Sequence, residues 1–417
     1  MDHNLQVEIL KDLMHQLDSG KNIDVGVQYK IPTSTYACPD LAAKEWDTMF
    51  RNHPQAIGLS GALPEPGSFL TMEDFGAPIL ATRDKKGNFR AFLNACRHRA
   101  TRVATEPRGK RTLFTCPFHA WSYSNEGDLV AIPDNDHFGD VDKSCRGLIE
   151  LPALEFGGLL WVHPQPDGKL DIDDLLGPLA SEIASNGFED LVYVGSKTID
   201  RKLNWKLAND TFGETYHFQK LHKDTLGHIF YGNNTHYEEF GRNHRFTTAN
   251  LGIDKFRELP ETEWQINQGT FVDYHLFPNI QCIWSGDNVS FIRIYPDPDN
   301  VGRSITQVDF YFSQAAVDAA NAADAATKAE AVENVYERSE NRVSTLESIM
   351  EVFNSTIEQE DYVMGEYQQI AAASGIAGDA LIGRNEPVIH HYHRSYREAL
   401  GLPPLETIEQ PLRSAAD

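Results

Sequence analysis

The sequence has no long apolar run and no segment of the secretory type. No stretch of about 18 consecutive apolar residues occurs in its 417 residues, so a transmembrane helix is not expected. Residues 1–20 carry acidic side chains and lack an apolar core followed by a cleavage site, so they do not resemble a signal peptide. We therefore expect a cytoplasmic location, in a reducing compartment.

Basic residues are scarce relative to acidic ones. The chain has 37 Lys and Arg against 61 Asp and Glu, and its net charge of −24 argues against a nucleic-acid partner. It also lacks a glycine-rich nucleotide fingerprint, an internal repeat and a plant-type ferredoxin motif.

Cysteine is scarce as well, with five residues in the chain. An odd number cannot form a complete set of disulfides. We therefore expect Cys38, Cys145 and Cys282 to be buried free thiols rather than disulfide partners. The other two cysteines belong to a motif that is typical of a metal centre.

Two short pairs of metal-binding side chains lie close together in the sequence. Cys96 and His98 are separated by one residue, Cys116 and His119 by two, and seventeen residues lie between the pairs. Two thiolates and two imidazoles can complete a tetrahedral zinc site, or they can hold a 2Fe–2S cluster with cysteine on one iron and histidine on the other. The residue types alone leave both possibilities open.

The spacing of these four residues resembles the Rieske cluster motif. The Arg directly after the first histidine and the Trp shortly after the second are also usual there. The resemblance implies that Cys96 and Cys116 bind one iron of a 2Fe–2S cluster and that His98 and His119 bind the other. Because neutral imidazoles reduce the negative charge on the cluster, its potential rises to roughly −150 to +300 mV, and the cluster would act as a one-electron relay.

A second group of candidate ligands follows at Glu214, His217 and His222. Glu214 and His217 are three residues apart, so we expect them to share a face of a helix. His217 and His222 are five apart, which does not fit one helical face, so the helix should end or loosen between them if both bind one metal. A facial triad needs one carboxylate in addition to two histidines.

Glu214 and Asp361 are both candidates for that carboxylate. A carboxylate on a buried helical face is costly unless it is paired or bound to a metal, and this favours Asp361 over Glu214. The alternative is that Asp361 pairs with an arginine. Glu360 lies at the margin of the same face. On a helical wheel, Asp361 falls inside an apolar stripe formed by Leu346, Met350, Phe353, Ile357 and Met364.

Together the two motifs resemble those of Rieske non-haem iron oxygenases, over roughly residues 30–400. The resemblance implies that the chain is a catalytic α subunit and that His217, His222 and Asp361 hold a mononuclear iron. It also implies that Glu214 connects His217 to His119 of a neighbouring chain and so acts as an electron-transfer bridge. Many aromatic-ring dioxygenases have Asp at this place, whereas choline- and betaine-type monooxygenases carry Glu-x-Tyr-His, as this chain does.

The implied fold is α+β. It has a β-rich Rieske 2Fe–2S domain and a helix-grip (START-like) catalytic domain, in which an antiparallel sheet wraps a long C-terminal helix. We place an N-terminal segment that packs on the catalytic domain at residues 1–45, the Rieske domain at 46–165 and the catalytic mononuclear iron domain at 166–417. Local patterns predict a helix over 5–18, strands at 78–81 and 89–93 separated by a turn at 86–88, and helical structure over 315–370.

The implied function is that of a terminal oxygenase component. It would use O2 and electrons from NAD(P)H, passed on by a separate reductase and possibly a ferredoxin, to hydroxylate a small organic, aromatic substrate at Fe(II), as in aromatic hydrocarbon catabolism. A homotrimer is expected, possibly with a small β subunit. The alternatives are a Rieske monooxygenase that oxidises or demethylates a quaternary ammonium, methoxy or N-methyl compound, and an electron-transfer Rieske protein without oxygenase activity.

Aromatic and aliphatic side chains should line the substrate pocket. The candidates near the second site are Phe212, Phe218, Tyr274 and Trp284. A cationic substrate would need an aromatic or acidic cage, which Trp284, Tyr274 and Asp287 could supply.

Overall fold

A computed structural model describes residues 1–333 and 346–408. It divides into two compact units. The large unit consists of Met1–Lys44 and Val192–Asp417, and the inserted unit consists of Glu45–Leu191. The inserted unit therefore extends beyond residue 165, the expected end of the Rieske domain. The domain boundaries proposed from the sequence remain predictions.

The large unit begins with an amphipathic helix. Helix α1 (His3–Ser19) is followed by strand β1 (Gln28–Pro32) and helix α2 (Pro39–Glu45). Helix α1 buries Ile9, Leu10 and Leu13, in agreement with the helical pattern over 5–18. The Asp2 side chain accepts a hydrogen bond from the first turn of α1, and Gly20 ends the helix with a φ of +65°.

The inserted unit is built from short antiparallel strands joined by tight turns. These form a five-stranded sheet of order β10-β5-β4-β3-β6 and two three-stranded sheets, β11-β12-β2 and β7-β8-β9. Two short helices follow the strands, α3 (Ile172–Leu176) and α4 (Ala180–Ile183). The strands are β2 (Gln55–Leu59), β3 (Ser68–Met72), β4 (Ile79–Arg83), β5 (Phe89–Leu93), β6 (Arg108–Lys110), β7 (Leu113–Thr115), β8 (Ser122–Ser124), β9 (Leu129–Ala131), β10 (Glu150–Leu151), β11 (Ala153–Phe156) and β12 (Leu159–Val162).

A seven-stranded antiparallel sheet dominates the large unit. Its order is β13-β19-β18-β17-β16-β15-β14, so each strand from β14 to β19 pairs with its neighbour in sequence. The short helices α5 (Trp205–Asp210) and α6 (Ile266–Gly269) interrupt the run of strands. The strands are β13 (Val192–Arg201), β14 (His236–Phe240), β15 (Asn243–Ala249), β16 (Thr270–Leu276), β17 (Ile280–Ser285), β18 (Asn288–Asp297) and β19 (Asn300–Phe312).

A long helix packs against this sheet. It consists of α8 (Leu346–Thr356), a π-helical turn (Ile357–Asp361) and α9 (Tyr362–Ala373), and it follows α7 (Gln314–Glu333). Phe353 meets Phe310 of β19 edge to face, and the hydroxyls of Tyr362 and Thr306 lie 2.7 Å apart. Strand β20 (Asp379–Ile382), α10 (Pro387–Ala399) and β21 (Glu406–Ile408) complete the unit, with the order β20-β1-β21.

The sheet and its helix confirm the predicted α+β class. Helices cover the described parts of the predicted helical region, while residues 334–345 lie outside the described residues. No helix in the described part of the chain has the length and apolar character needed to cross a membrane.

The cysteines agree only in part with the prediction of buried free thiols. All five positions lie in the described ranges and all five side chains are free thiols. Cys282 is buried, Cys38 is half-buried and Cys145 is exposed. The prediction of burial is wrong for Cys145, because it ends a short helical turn at the surface, where its Sγ donates to the carbonyl of Asp142.

Two glycines of the inserted unit offer a matched test of its packing. Gly87 and Gly127 both have φ near +90°, but a Cβ on Gly127 would lie 2.4 Å from the Phe92 ring, whereas a Cβ on Gly87 meets nothing within 4 Å. We expect Gly87→Ala to cost about 1 kcal/mol from backbone strain alone and Gly127→Ala about 1–3 kcal/mol more from the clash. Thermal unfolding of the two purified variants measures the difference, and equal shifts in Tm would contradict it.

Candidate functional site

The two candidate cluster loops share one backbone geometry. Ala100 donates its N–H to the carbonyl of Cys96 at 2.8 Å, and Ala120 donates to the carbonyl of Cys116 at 2.9 Å. In each loop the cysteine N–H returns a 2.8 Å hydrogen bond to the carbonyl five residues later. Both alanines have φ near +58°, a conformation that non-glycine residues rarely adopt, so each turn is held by its paired hydrogen bonds.

These turns bring the four predicted cluster side chains together. The rings of His98 and His119 lie 4.6 Å apart, and the thiols of Cys96 and Cys116 are within hydrogen-bonding reach of each other. Burial, and then the neighbouring thiol, raise the pKa of Cys116. Nδ1 of His98 is buried and has no hydrogen-bond partner among the described residues. An unpaired buried imidazole beside two thiols fits a metal-bound group, and this donor set fits a Rieske cluster.

Aromatic side chains surround these four residues. The hydroxyl of Tyr123 lies 3.3 Å from Cys96 Sγ and accepts the N–H of Arg97 at 2.9 Å. Trp121 stacks on the His98 ring with centroids 5.2 Å apart. Hydrogen bonds to the ligand sulfurs tune the potential of an iron–sulfur cluster, so Tyr123 is a contributor that the motif alone does not reveal.

The second group converges on one point in the large unit. Nε2 of His217 lies 3.1 Å from Nε2 of His222. Oδ1 of Asp361 lies 3.0 Å from His222 Nε2 and 3.4 Å from His217 Nε2. One ligand atom from each residue therefore faces the other two, as the binding of a single ion requires.

The two histidines lie in an irregular segment rather than on a helix. Helix α5 ends at Asp210, so the expectation that Glu214 and His217 share a helical face is wrong. Gly213 lets the chain turn in a place where a Cβ would lie 2.6 Å from Ile389. The Glu214 carboxylate accepts the His217 N–H at 3.1 Å, which replaces a helical hydrogen bond and fixes the spacing of the pair.

A carboxylate holds the second ring nitrogen of each histidine. Oε1 of Glu214 lies 2.5 Å from His217 Nδ1, and Oε2 of Glu360 lies 2.6 Å from His222 Nδ1. Such contacts orient a ligand imidazole and raise its basicity. The helical wheel put Glu360 at the margin of the apolar face. The π-turn at 357–361 changes the helical phase, so that Glu360 and Asp361 both reach His222.

The electrostatics of this group favour a positive charge. Burial opposes protonation of His217, but hydrogen bonds to Asp361 and Glu214 raise its pKa to about 9. Burial likewise opposes protonation of His222, and Asp361 outweighs it and raises the pKa. A divalent cation would replace the proton between these side chains, so the donor set fits a mononuclear iron.

An enclosed cavity of about 260 Å³ borders His217, His222 and Asp361. Seven phenylalanines line it, Phe212 and Phe218 among them. Tyr274 and Trp284, which the sequence suggested, do not line it, and neither does Asp287. Tyr274 and Trp284 alternate along β16 and β17 with lining residues and therefore face the opposite side of the sheet, while Asp287 lies in the turn between β17 and β18. The cage proposed for a cation is thus not formed by these residues.

An open cleft of about 820 Å³ also reaches this group, so that Glu214, His217 and Asp361 border both spaces. The carboxylate of Asp210 in this cleft accepts the Tyr36 hydroxyl at 2.8 Å and lies 3.0 Å from His393 Nε2. The metal group therefore forms part of the wall between an apolar cavity and a wider, more open cleft that also contains polar side chains such as Asp210.

Two family models match the chain. The model of the ring-hydroxylating alpha subunit (catalytic domain) matches residues 188–402, and that of the Rieske [2Fe-2S] domain matches residues 53–150. The chain belongs to the ring-hydroxylating α-subunit family. The two domains imply a Rieske cluster and a mononuclear iron, and both donor sets described above fit these groups.

Relatives of this α subunit include monooxygenases and dioxygenases. The chain is 29% identical over 201 residues to the glycine betaine monooxygenase oxygenase subunit of Chromohalobacter salexigens (48% of this chain, 45% of the relative). It is 28% identical over 206 residues to the anthranilate 1,2-dioxygenase large subunit of Acinetobacter baylyi (46% and 42%). Each match thus spans less than half the length of the relative.

The fold also resembles that of a solved α subunit. The quaternary ammonium Rieske monooxygenase CntA in complex with an inhibitor superimposes with a TM-score of 0.70 at 17% identity, over 90% of this chain and 95% of CntA. At this identity the likeness supports the fold and leaves the substrate open.

The contact between Glu360 and His222 predicts an effect on metal affinity. We expect Glu360→Gln to weaken iron binding by roughly 10–100-fold, because the imidazole loses a charged partner that orients it. Glu358→Gln is a matched control on the same turn, since Glu358 pairs with Arg201 and not with a histidine. Titration of the metal-depleted proteins with Fe(II) measures both affinities. Equal losses in the two variants would show that Glu360 has no specific role at His222.

Proposed function

We propose that this α subunit is the terminal oxygenase component of a Rieske non-haem iron system. It uses O2 and electrons from a separate reductase to hydroxylate a small organic, aromatic substrate. The observation that carries the proposal is the convergence of His217, His222 and Asp361 beside an enclosed apolar cavity. A protein that only transfers electrons needs no such second group, which argues against a simple carrier.

In this proposal His217, His222 and Asp361 hold the mononuclear iron. Two histidines and one carboxylate leave coordination positions open, and iron bound in this way supplies oxygen chemistry beside the substrate. Glu214 and Glu360 keep the two rings in place through their Nδ1 atoms. The apolar walls exclude water from the reacting side of the group.

Cys96, His98, Cys116 and His119 hold the Rieske cluster. The two loops bury both thiols, while His119 is exposed and Arg99 lies 3.3 Å from its Nε2. An exposed histidine is available to a neighbouring copy of the chain. We infer that it approaches Glu214 of that copy through the open cleft, so that Glu214 connects His119 to His217 between subunits.

This connection supports a homotrimer, possibly with a small β subunit. The electron supply then comes from NAD(P)H through a separate reductase, with or without a ferredoxin. The three cysteines outside the cluster, Cys38, Cys145 and Cys282, are free thiols, which fits a reducing compartment such as the cytoplasm.

The cavity favours an aromatic substrate. Its seven phenylalanines can contact an aromatic ring face to edge, and such contacts add to the gain from burying the ring. The alternative is oxidation or demethylation of a quaternary ammonium, methoxy or N-methyl compound, because one relative is a glycine betaine monooxygenase. Phenylalanine rings can also attract a cation, although more weakly than tryptophan.

The two ligand sets predict a metal content. A Rieske cluster and a mononuclear centre together give about three irons per chain. We expect Asp361→Ala to keep the red-brown colour and about two irons, since the cluster ligands lie in the inserted unit. We expect Cys116→Ser to lose the colour. Iron and sulfide analysis with visible absorption tests both, and a colourless wild-type protein containing zinc would refute the cluster assignment.

The proposed activity predicts dependence on a reductase. We expect product from the iron-loaded protein with NADH and a generic ferredoxin–reductase pair, and none with NADH alone. Mass spectrometry would follow a panel of neutral aromatics, aromatic acids, methoxy-aromatics and quaternary ammonium compounds. Asp361→Ala is the matched control and should give no product.

The products separate the two candidate functions. A phenol or a vicinal diol supports the aromatic hydroxylase, whereas an aldehyde released with loss of a methyl group supports the demethylase. Turnover with NADH alone would contradict the need for a reductase.

A further inference from the structure

A buried carboxyl lies on the floor of the cavity, apart from the metal group. Three acidic side chains line this space, and Asp273 is the one that does not contact His217 or His222. It is 1% exposed and projects from the middle of β16. Neither the metal ligands nor the electron path accounts for it.

The register of the sheet explains why Asp273 faces the cavity. Asp273 pairs with Phe246 on one side and Ile283 on the other, and this line of paired residues continues to Ser290 and Phe310. Directly paired residues of antiparallel strands point to the same face. All five residues line the cavity, so the sheet supplies a floor of apolar side chains with a carboxyl and a hydroxyl among them.

The carboxyl is only partly satisfied by the protein. The backbone N–H of Cys282 donates to it, but Oδ1 is buried and has no hydrogen-bond partner within the described residues. Buried polar atoms of native proteins usually have a partner, so an orphan oxygen in a ligand cavity indicates a hydrogen bond that a ligand completes. Burial raises the pKa of Asp273 well above its usual range, which favours the protonated carboxyl, whose hydroxyl can donate a hydrogen bond.

The lining carries no lysine or arginine among the residues that the structure describes. Its two histidines already pair with Glu214, Glu360 and Asp361. A carboxylate on the substrate would therefore meet apolar walls and a buried acidic group, with no basic side chain left to pair with it. An unpaired ion is expensive to bury, so the cavity disfavours aromatic acids.

We propose that Asp273 sets the substrate specificity of this site: its Oδ1 hydrogen-bonds one polar group of an uncharged aromatic substrate, and the cavity rejects aromatic carboxylates. The proposal rests on the proposed function for the claim that the bound molecule is oxidised there. The hydrogen bond would hold the ring among the phenylalanines that share this cavity with His217 and Asp361.

Three probes of similar size test the selection by charge and polarity. Benzamide is uncharged and carries a carbonyl, benzoate is nearly isosteric with it and carries a charge, and ethylbenzene has no polar group. Calorimetry measures their binding to the iron-loaded protein without reductase. We expect benzamide to bind about tenfold more tightly than ethylbenzene, the worth of one buried hydrogen bond, and benzoate to bind more weakly than both.

Three variants assign this preference to Asp273. Asp273→Leu should abolish the advantage of benzamide over ethylbenzene while ethylbenzene binds as before. Asp273→Asn should keep the advantage, because its amide can still donate. Ser290→Ala, a polar deletion on the same floor, should leave the ratio unchanged. Asp273→Asn also keeps the experiment decisive if the leucine variant does not fold.

Some outcomes would overturn the proposal. Wild-type protein that binds benzoate as tightly as benzamide would do so, and so would an unchanged benzamide-to-ethylbenzene ratio in Asp273→Leu. Benzyltrimethylammonium that binds more tightly than benzamide, and loses that affinity in Asp273→Asn, would replace the uncharged substrate with a cationic one. Product analysis with reductase is separate: selective binding without product would contradict the proposed function and leave the specificity assignment intact.

Discussion

Two imidazole nitrogens and a carboxylate oxygen held about 3 Å apart beside an apolar cavity are the constraint on which the large unit depends. These polar groups are strongly hydrated in water, so burying them without a partner is costly. Two sets of side chains surround the group. Glu214 and Glu360 hold the outer nitrogens of the rings, and seven phenylalanines line the cavity that both rings border.

Local structure serves the same constraint. Helix α5 ends before the histidines, and Gly213 allows the close approach to Ile389 that a helix could not make. The Glu214 side chain then takes the place of a backbone acceptor for His217. In the inserted unit the two cluster loops are also held by local hydrogen bonds. These backbone hydrogen bonds stabilise Ala100 and Ala120 in a left-handed conformation.

The sequence predicts those parts of the site that depend on short spacings. Cys96, His98, Cys116 and His119 are close in sequence, and their loops bring them together. Asp361 is predicted as a ligand because a lone carboxylate in an apolar stripe is costly, and the structure places it within 3.4 Å of both histidines. The predicted apolar stripe does not continue beyond Asp361, because Met364 is 38% exposed and borders the open cleft. A wheel with a constant period cannot anticipate a π-turn.

Long-range pairing limits prediction elsewhere. The sequence shows that 271–285 contains strands, but the face that meets the cavity depends on the register of β16 with β15 and β17. The sequence predicts Tyr274 and Trp284 as lining residues, whereas Asp273 and Ile283 line the cavity. Each prediction is wrong by one residue, which is enough to move a side chain to the opposite face of the sheet. Nothing local distinguishes the two faces here, because β16 is buried on both.

The π-turn also determines how the helix would respond to a deletion in this segment. A turn with one extra residue rotates everything after it by about 100° relative to a regular helix. Loss of a single codon between 357 and 361 would restore the regular helix and swing α9 around its axis, carrying Tyr362 away from Thr306. A substitution in this segment alters the contacts of one side chain, whereas a one-residue deletion would alter the phase of the whole second half of the helix. The site therefore depends on the length of this segment as well as on the side chains of Glu360 and Asp361.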